Sequence, residues 1–156
     1  MKTARIKTPL GIAELTGDSK GLFSVKLLEE AKESSEIPAE LKSAADQLQA
    51  YFRGELKKFH LKLNPQGTDF QKRVWEKLLA IPFGKTTSYL ELSRNLGDEK
   101  AIRAVASANG KNPLWIIVPC HRVIGSDGSL TGYAGGLHRK KWLLDLENPP
   151  LQQRLF

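Results

Sequence analysis

Leu114-Trp115-Ile116-Ile117-Val118-Pro119-Cys120-His121-Arg122-Val123 joins an apolar run to three chemically reactive side chains, and it holds the single cysteine of a 156-residue chain. The apolar run reads as a buried strand. Pro119 has no N–H and biases Val118 toward an extended conformation, so regular strand pairing should end there. The thiolate is the nucleophilic form of cysteine, and a thiol pKa of about 8.5 falls when cations lie nearby. His121 and Arg122 are candidate cations. Strand-like backbone would send Cys120 and His121 to opposite faces, so contact between them needs an irregular backbone or a bridging water. On residue type alone a second reading stays open, in which Cys120 is a small buried hydrophobe.

Length and composition set the frame around this stretch. One ordinary domain, or two small ones, fits the length. No run approaches the roughly 18 apolar residues of a membrane span, and the first residues lack the apolar core of a signal peptide. A soluble protein of the cytoplasm, or of the nucleus in a eukaryotic cell, is expected. One cysteine excludes an internal disulfide, and with three scattered histidines it leaves no zinc-spaced cluster. The net charge is +7, with +2 over residues 1–63 and +5 over 64–156. The basic excess therefore accompanies the cysteine, which favours a polyanionic partner over a neutral one.

Residues 5–27 alternate short β-like runs with turn signals at Pro9-Leu10-Gly11 and Gly17 to Gly21, the pattern of a small antiparallel meander. Leu28 to Glu36 reads as an acidic loop. A helix follows from Pro38, with Leu41, Ala44, Ala45, Leu48 and Phe52 on one face and Gly54 as its stop. Phe59 to Leu63 reads as one more strand, and Asn64-Pro65-Gln66-Gly67 as the boundary between domains 1–63 and 64–156. Beyond it Thr68 and Gln71 form a capping box for a helix whose face is Phe70, Val74, Leu78 and Ile81. Ser88 and Glu91 repeat the capping pattern. Asp98 can cap a further helix over 99–109, carrying Lys100 and Arg103 beside Ala101, Ala104 and Ala108. Two short helices across a Gly97-Asp98 turn suggest a helix-turn-helix, with a plain helical hairpin as the alternative. Residues 125–136 contain five glycines, a density that suits a loop approached closely by a ligand. The last helix, about His138 to Leu146, should pack Trp142, Leu143 and Leu146 inward. Glu147 at its end opposes the helix dipole and should have another partner, with His121 the candidate.

Together these residues resemble the methylated-DNA-protein-cysteine methyltransferases, or 6-O-alkylguanine-DNA alkyltransferases. The resemblance is carried by Pro119-Cys120-His121-Arg122-Val123, Phe83-Gly84-Lys85-Thr86-Thr87-Ser88-Tyr89, Arg103-Ala104-Val105, Asn112-Pro113, Tyr133-Ala134-Gly135-Gly136 and Trp142-Leu143-Leu144. It is close over 64–150 and looser over 1–63. It implies an α+β fold: a ribonuclease-H-like N-terminal sheet-and-helix domain, then a mainly helical C-terminal domain with a helix-turn-helix. It also implies DNA repair by direct, irreversible transfer of an alkyl group from O-6 of guanine to Cys120, after the base is flipped out of the duplex. Whether O-4 of thymine is a second substrate, the residues leave open.

Residue by residue, Cys120 resembles the alkyl acceptor, His121 the base that takes the thiol proton through a water, and Glu147 the carboxylate that orients it. Asn112 matches the residue bracing the site, and Tyr89 the phenol that acts toward N3 of the leaving guanine. Arg103 matches the arginine that fills the space of the extruded base. Lys100, Ala101, Ile102, Ala104, Asn109, Ser88 and Arg122 join it as expected DNA contacts, with the recognition helix in the minor groove. Val118, Tyr133, Ala134 and Gly135 match the pocket edge that reads the base. No cofactor or metal is implied, and the expected partner is double-stranded DNA containing alkylated guanine, bound by a monomer away from any membrane. The chemistry suits these types: alkyl carbon is a soft electrophile for thiolate, a phenol acid improves the leaving group, and a duplex lesion must be extruded to be reached. The competing classes are a lesion-binding module without transfer, a cysteine hydrolase and a helix-turn-helix regulator.

Overall fold

The computed structural model describes residues 1–130, 132–133 and 135–150. They form two compact units, one of residues 1–67 with 113–117, the other of 68–112 with the described residues from 118 onward. The division thus falls after Gly67, and Pro113 with the first four residues of the central stretch belongs to the first unit.

In the first unit, β1 (Lys2–Thr8), β2 (Gly11–Asp18) and β3 (Gly21–Leu28) form an antiparallel sheet in that order. The period of two is plain: Ala4, Ile6 and Thr8 of β1 and Ala13 and Leu15 of β2 are buried, alternating with residues in contact with solvent. Helix α1 (Ala39–Phe52) packs on β1 and β2, burying Leu41, Ala44, Ala45, Leu48, Tyr51 and Phe52. Gly17 permits the approach, since a Cβ there would lie 2.9 Å from the Gly21 carbonyl oxygen and 3.4 Å from Leu41 Cδ2.

Two expected strands are each reduced to a single bridge. Of Phe59 to Leu63 only Leu63 pairs, with Leu22, and of the apolar run only Leu114 pairs, with Val25. Both compete for the same open edge of β3: Leu22 exchanges bonds with Lys62 and Asn64, and Val25 with Pro113 and Trp115. Neither segment can lengthen along that edge without displacing the other. After Trp115 the chain turns instead of extending. Ile116 has φ 71° and Ile117 N bonds Trp115 O at 2.8 Å, a tight turn that a β-branched residue rarely adopts.

The second unit consists of α2 (Asp69–Leu79), α3 (Tyr89–Asn95), α4 (Ile102–Gly110) and α5 (Leu137–Glu147), with two-residue strands β4 (Thr87–Ser88) and β5 (Val123–Ile124) paired in parallel. The capping box of α2 forms as expected, with Gln71 N to Thr68 Oγ1 at 3.1 Å and Thr68 N to Gln71 Oε1 at 2.9 Å. The buried face of α2 is Val74, Trp75 and Leu78, with Phe70 only half-buried. Trp75 buries because its indole N–H finds an acceptor, Ala108 O of α4 at 2.9 Å. The helix expected over 99–109 begins as a 3-10 turn, Glu99–Ala101, capped by Asp98, and becomes α-helical at Ile102. With α3 it makes a pair of short helices across Gly97-Asp98. No helix among the described residues is long and apolar enough to cross a membrane.

Removing the α2 cap by Thr68→Ala should lower stability by about 1 kcal/mol, seen as a lower urea midpoint with an unchanged slope. An unchanged midpoint would mean that α2 does not need the cap.

Candidate active site

Pro119 forms an inverse γ-turn, φ −81° and ψ 65°, with Cys120 N bonding Val118 O at 2.8 Å. Cys120–Arg122 then make one 3-10 turn. This is the irregular backbone that the sequence demanded if neighbouring side chains were to serve one site. Cys120 is 8% exposed and His121 is fully buried.

Helix α5 faces this turn with one stripe. Lys140, Leu143 and Glu147, spaced three and four residues apart, are its buried residues. Trp142 and Leu146, expected inside, are only half-buried, and the inward place at the start of the stripe goes to Lys140, which is 0% exposed. Glu147 has the partner expected of it: Oε2 lies 2.7 Å from His121 Nε2. It has a second partner in Arg122, whose Nε meets Oε1 at 2.7 Å and whose Nη2 meets Oε2 at 2.9 Å. Gly84 N also reaches Oε1, at 3.4 Å. Paired in this way with a guanidinium, the carboxylate accepts from the imidazole, so His121 carries its proton on Nε2 and presents a lone pair at Nδ1.

Arg122 is therefore not one of the expected DNA contacts. It is buried, and its remaining nitrogen, Nη1, donates to Ile81 O at 2.6 Å. Asn109 is likewise buried, with Nδ2 3.5 Å from Cys120 O, and so does not face DNA. Val118 is buried, and its carbonyl accepts from Asn112 Nδ2 at 2.7 Å and from Cys120 N at 2.8 Å.

Electrostatics also differ from expectation. Burial pushes the Cys120 thiol up from its ordinary 9.0, against the opposing pulls of the Asn112 amide, Lys140 and its own backbone. Burial also pushes His121 below its ordinary 6.5, the Glu147 hydrogen bond and charge opposing this and Arg122 and Lys140 adding to it. Thiol and imidazole therefore rest as neutral groups. The cation that acts on the sulfur is Lys140, itself lowered by burial. Lys140 was missed in the sequence, though its spacing from Glu147 was legible.

A cleft of about 530 Å³ is lined by Tyr89, Ile102, Arg103, Ala106, Gly110, Gly132 and Tyr133. Ile102, Arg103 and Ala104 are exposed on α4, Lys100 is exposed and Ala101 half-buried in the preceding turn, and Ser88 caps α3 by accepting from Glu91 N at 3.0 Å. Gly135 lies close under Tyr133, where a Cβ would stand 3.1 Å from the ring. Ala134 lies outside the described residues.

Family models match nearly the whole chain: the 6-O-methylguanine DNA methyltransferase DNA-binding domain over residues 69–149, and the ribonuclease-like domain of the same proteins over 1–65. The chain belongs to the 6-O-methylguanine DNA methyltransferase family. A methylated-DNA--protein-cysteine methyltransferase of Methanosarcina barkeri is 50% identical over 154 residues, covering 94% of this chain and 97% of that one. Among solved structures, Mycobacterium tuberculosis O6-methylguanine methyltransferase matches with TM-score 0.83 and 47% identity, covering 97% of this chain and 96% of that one. The Mycobacterium tuberculosis OGT in complex with DNA matches with TM-score 0.85 and 47% identity, covering 97% of both chains.

The depressed His121 sets a pH dependence. Below about 6.5 the unfolded chain takes up a proton that folded His121 refuses, so stability is whole above that pH and falls as pH drops. The slope should reach up to about 1.4 kcal/mol per pH unit. Between pH 6.5 and 5 carboxylates contribute little, so His121→Gln should flatten this limb in urea titrations; an equal slope in the variant would place the proton elsewhere.

Proposed function

We propose that this chain repairs DNA by moving an alkyl group from O-6 of guanine to Sγ of Cys120, once per molecule. The observation that carries the reading is the buried His121–Glu147 pair at 2.7 Å beside the chain's single thiol. A thiol held protonated by burial is a poor nucleophile, so transfer needs a base. Neutral His121, oriented through Nε2 by Glu147, offers Nδ1 for that purpose.

In the step itself the thiol proton passes to His121 through a water, and sulfur attacks the alkyl carbon. The S–C bond forms as the C–O6 bond breaks, and the bonding pair leaves on guanine. Tyr89, on the cleft wall, donates toward N3 to stabilise that anion. Lys140 and the Asn112 amide stabilise negative charge on sulfur as the proton departs. Arg103, exposed at the head of α4, fills the space of the extruded base and offsets part of the few kcal/mol that extrusion costs. The small residues Ala104, Ala106 and Gly110 let α4 approach a groove closely. Tyr133, supported by Gly135, borders the space for the flipped base. Such work places the protein where DNA is, in the cytoplasm of a cell without a nucleus.

Intact mass after mixing with duplex containing methylated guanine should show one added methyl on the wild type and none on Cys120→Ala, which still binds the DNA. A wild type that binds without gaining mass would be a lesion-binding module. Arg103→Ala should slow transfer from duplex by roughly ten- to a hundred-fold while leaving transfer from the free modified base nearly unchanged. Equal losses on both substrates would remove Arg103 from base extrusion.

A further inference from the structure

Two buried side-chain atoms in the described residues have no hydrogen-bond partner, Asn109 Oδ1 and His121 Nδ1. Both belong to the surroundings of Cys120: His121 follows it in the chain, and Asn109 Nδ2 lies 3.5 Å from its carbonyl oxygen. The amide orientation of Asn109 is fixed by that carbonyl, because turning the amide would set oxygen against oxygen. Oδ1 is then an acceptor. His121 Nδ1 is also an acceptor, since Nε2 spends its proton on Glu147. The Cys120 thiol supplies one donor. Two acceptors and one donor are the complement of a single water, which donates twice and accepts; about three bonds is the usual complement of a buried water.

Asn109 is a costly choice at this position unless the free oxygen is used. The other buried residues of α4 are Val105 and Ala108. An amide there has lower helix propensity than alanine and carries an acceptor away from solvent.

We propose that Asn109 is a positioning residue for alkyl transfer: through Oδ1 it holds the water that carries the Cys120 proton to His121, and through Nδ2 it holds the Cys120 backbone. This rests on the proton relay proposed above. In the resting state Sγ–H donates to the water, which donates to His121 Nδ1 and to Asn109 Oδ1. After transfer the imidazolium Nδ1–H donates to the water, which donates to the thiolate and still to Asn109. Asn109 neither gains nor loses a proton. Its loss removes the water's fixed anchor and with it one donor to the thiolate. The charged group that acts on Cys120 is Lys140 of α5, while His121 and Arg122 of its own turn are bonded to Glu147 of α5. The buried residues of α2 and α4 are uncharged.

The test measures the rate at which iodoacetamide alkylates Cys120 from pH 7 to 12, a readout that involves no DNA. Asn109→Ala and Asn109→Leu, which leave different volumes, should both move the midpoint up by about one pH unit. That is about ten-fold slower labelling at neutral pH, with melting temperatures that separate folding from chemistry. An unmoved midpoint in folded Asn109→Ala overturns the proposal, as does a shift in Asn109→Leu alone, which would be packing. In parallel, methyl transfer from the free modified base should fall about ten-fold in both variants. Should the wild type take no methyl, the repair reading fails by itself, while the midpoint comparison still decides the role of Asn109.

Discussion

A carboxylate with almost no access to water is the constraint on which the second unit depends. Moving an ionised carboxylate out of water is expensive unless charge and hydrogen bonds replace the lost hydration. Glu147 receives both from Arg122, a further bond from His121 and a longer one from Gly84 N. The cost of that arrangement explains several features at once. It accounts for a Glu at a helix C-terminus, where the dipole disfavours it. It forces Cys120–Arg122 into one tight turn, so that His121 and Arg122 both reach the end of α5. Through Arg122 Nη1 it also ties Ile81 O, and so the connection leading to Tyr89, to the same point.

Such a network contributes less to net stability than to order. Apolar residues of similar volume would fold about as well. What they would not supply is an imidazole with one nitrogen occupied and one available. The guanidinium that pairs with Glu147 determines which nitrogen of His121 keeps the proton, and hence which one can act on the thiol. Arg122 thus acts on His121 through the carboxylate they share. The end of α4 is held in a comparable way: Trp75 bonds Ala108 O, Asn109 reaches Cys120 O and Asn112 bonds Val118 O. The helix that presents Arg103 is thereby fixed to the backbone of the reactive residue.

What was legible in the sequence follows a physical division. Local rules worked where one element carried the signal: the period of two over β1 and β2, the Thr68 capping box, Gly54 at φ 76° ending α1, and the Glu147–His121 pairing inferred from a misplaced charge. They failed where two distant segments competed for one resource. Leu114 to Val118 and Phe59 to Leu63 both have strand-like composition, but β3 has one free edge. The same holds for charge. His121 and Arg122 looked like cations for Cys120 because they are adjacent in sequence, yet Arg122 is drawn away by Glu147 and His121 is neutralised by burial. Lys140, twenty residues along the chain, takes the part. Asn109 and Arg122 read as surface residues by type, and only packing shows them buried.

The resting state of the thiol also explains why a cavity and a relay must come together. If the cations had held Cys120 as an exposed thiolate, it would react with any soft electrophile in the cell and be used up before meeting a lesion. Burial keeps it protonated, and burial also keeps the imidazole that follows it uncharged, so neither group carries charge in the resting protein. The chemistry of sulfur makes a transfer to such a thiol final. A thioether is not displaced by a weak nucleophile, and a chain with one cysteine has no second thiol to attempt it. Restraint before the reaction and irreversibility after it come from the same two facts, a single sulfur and its removal from water.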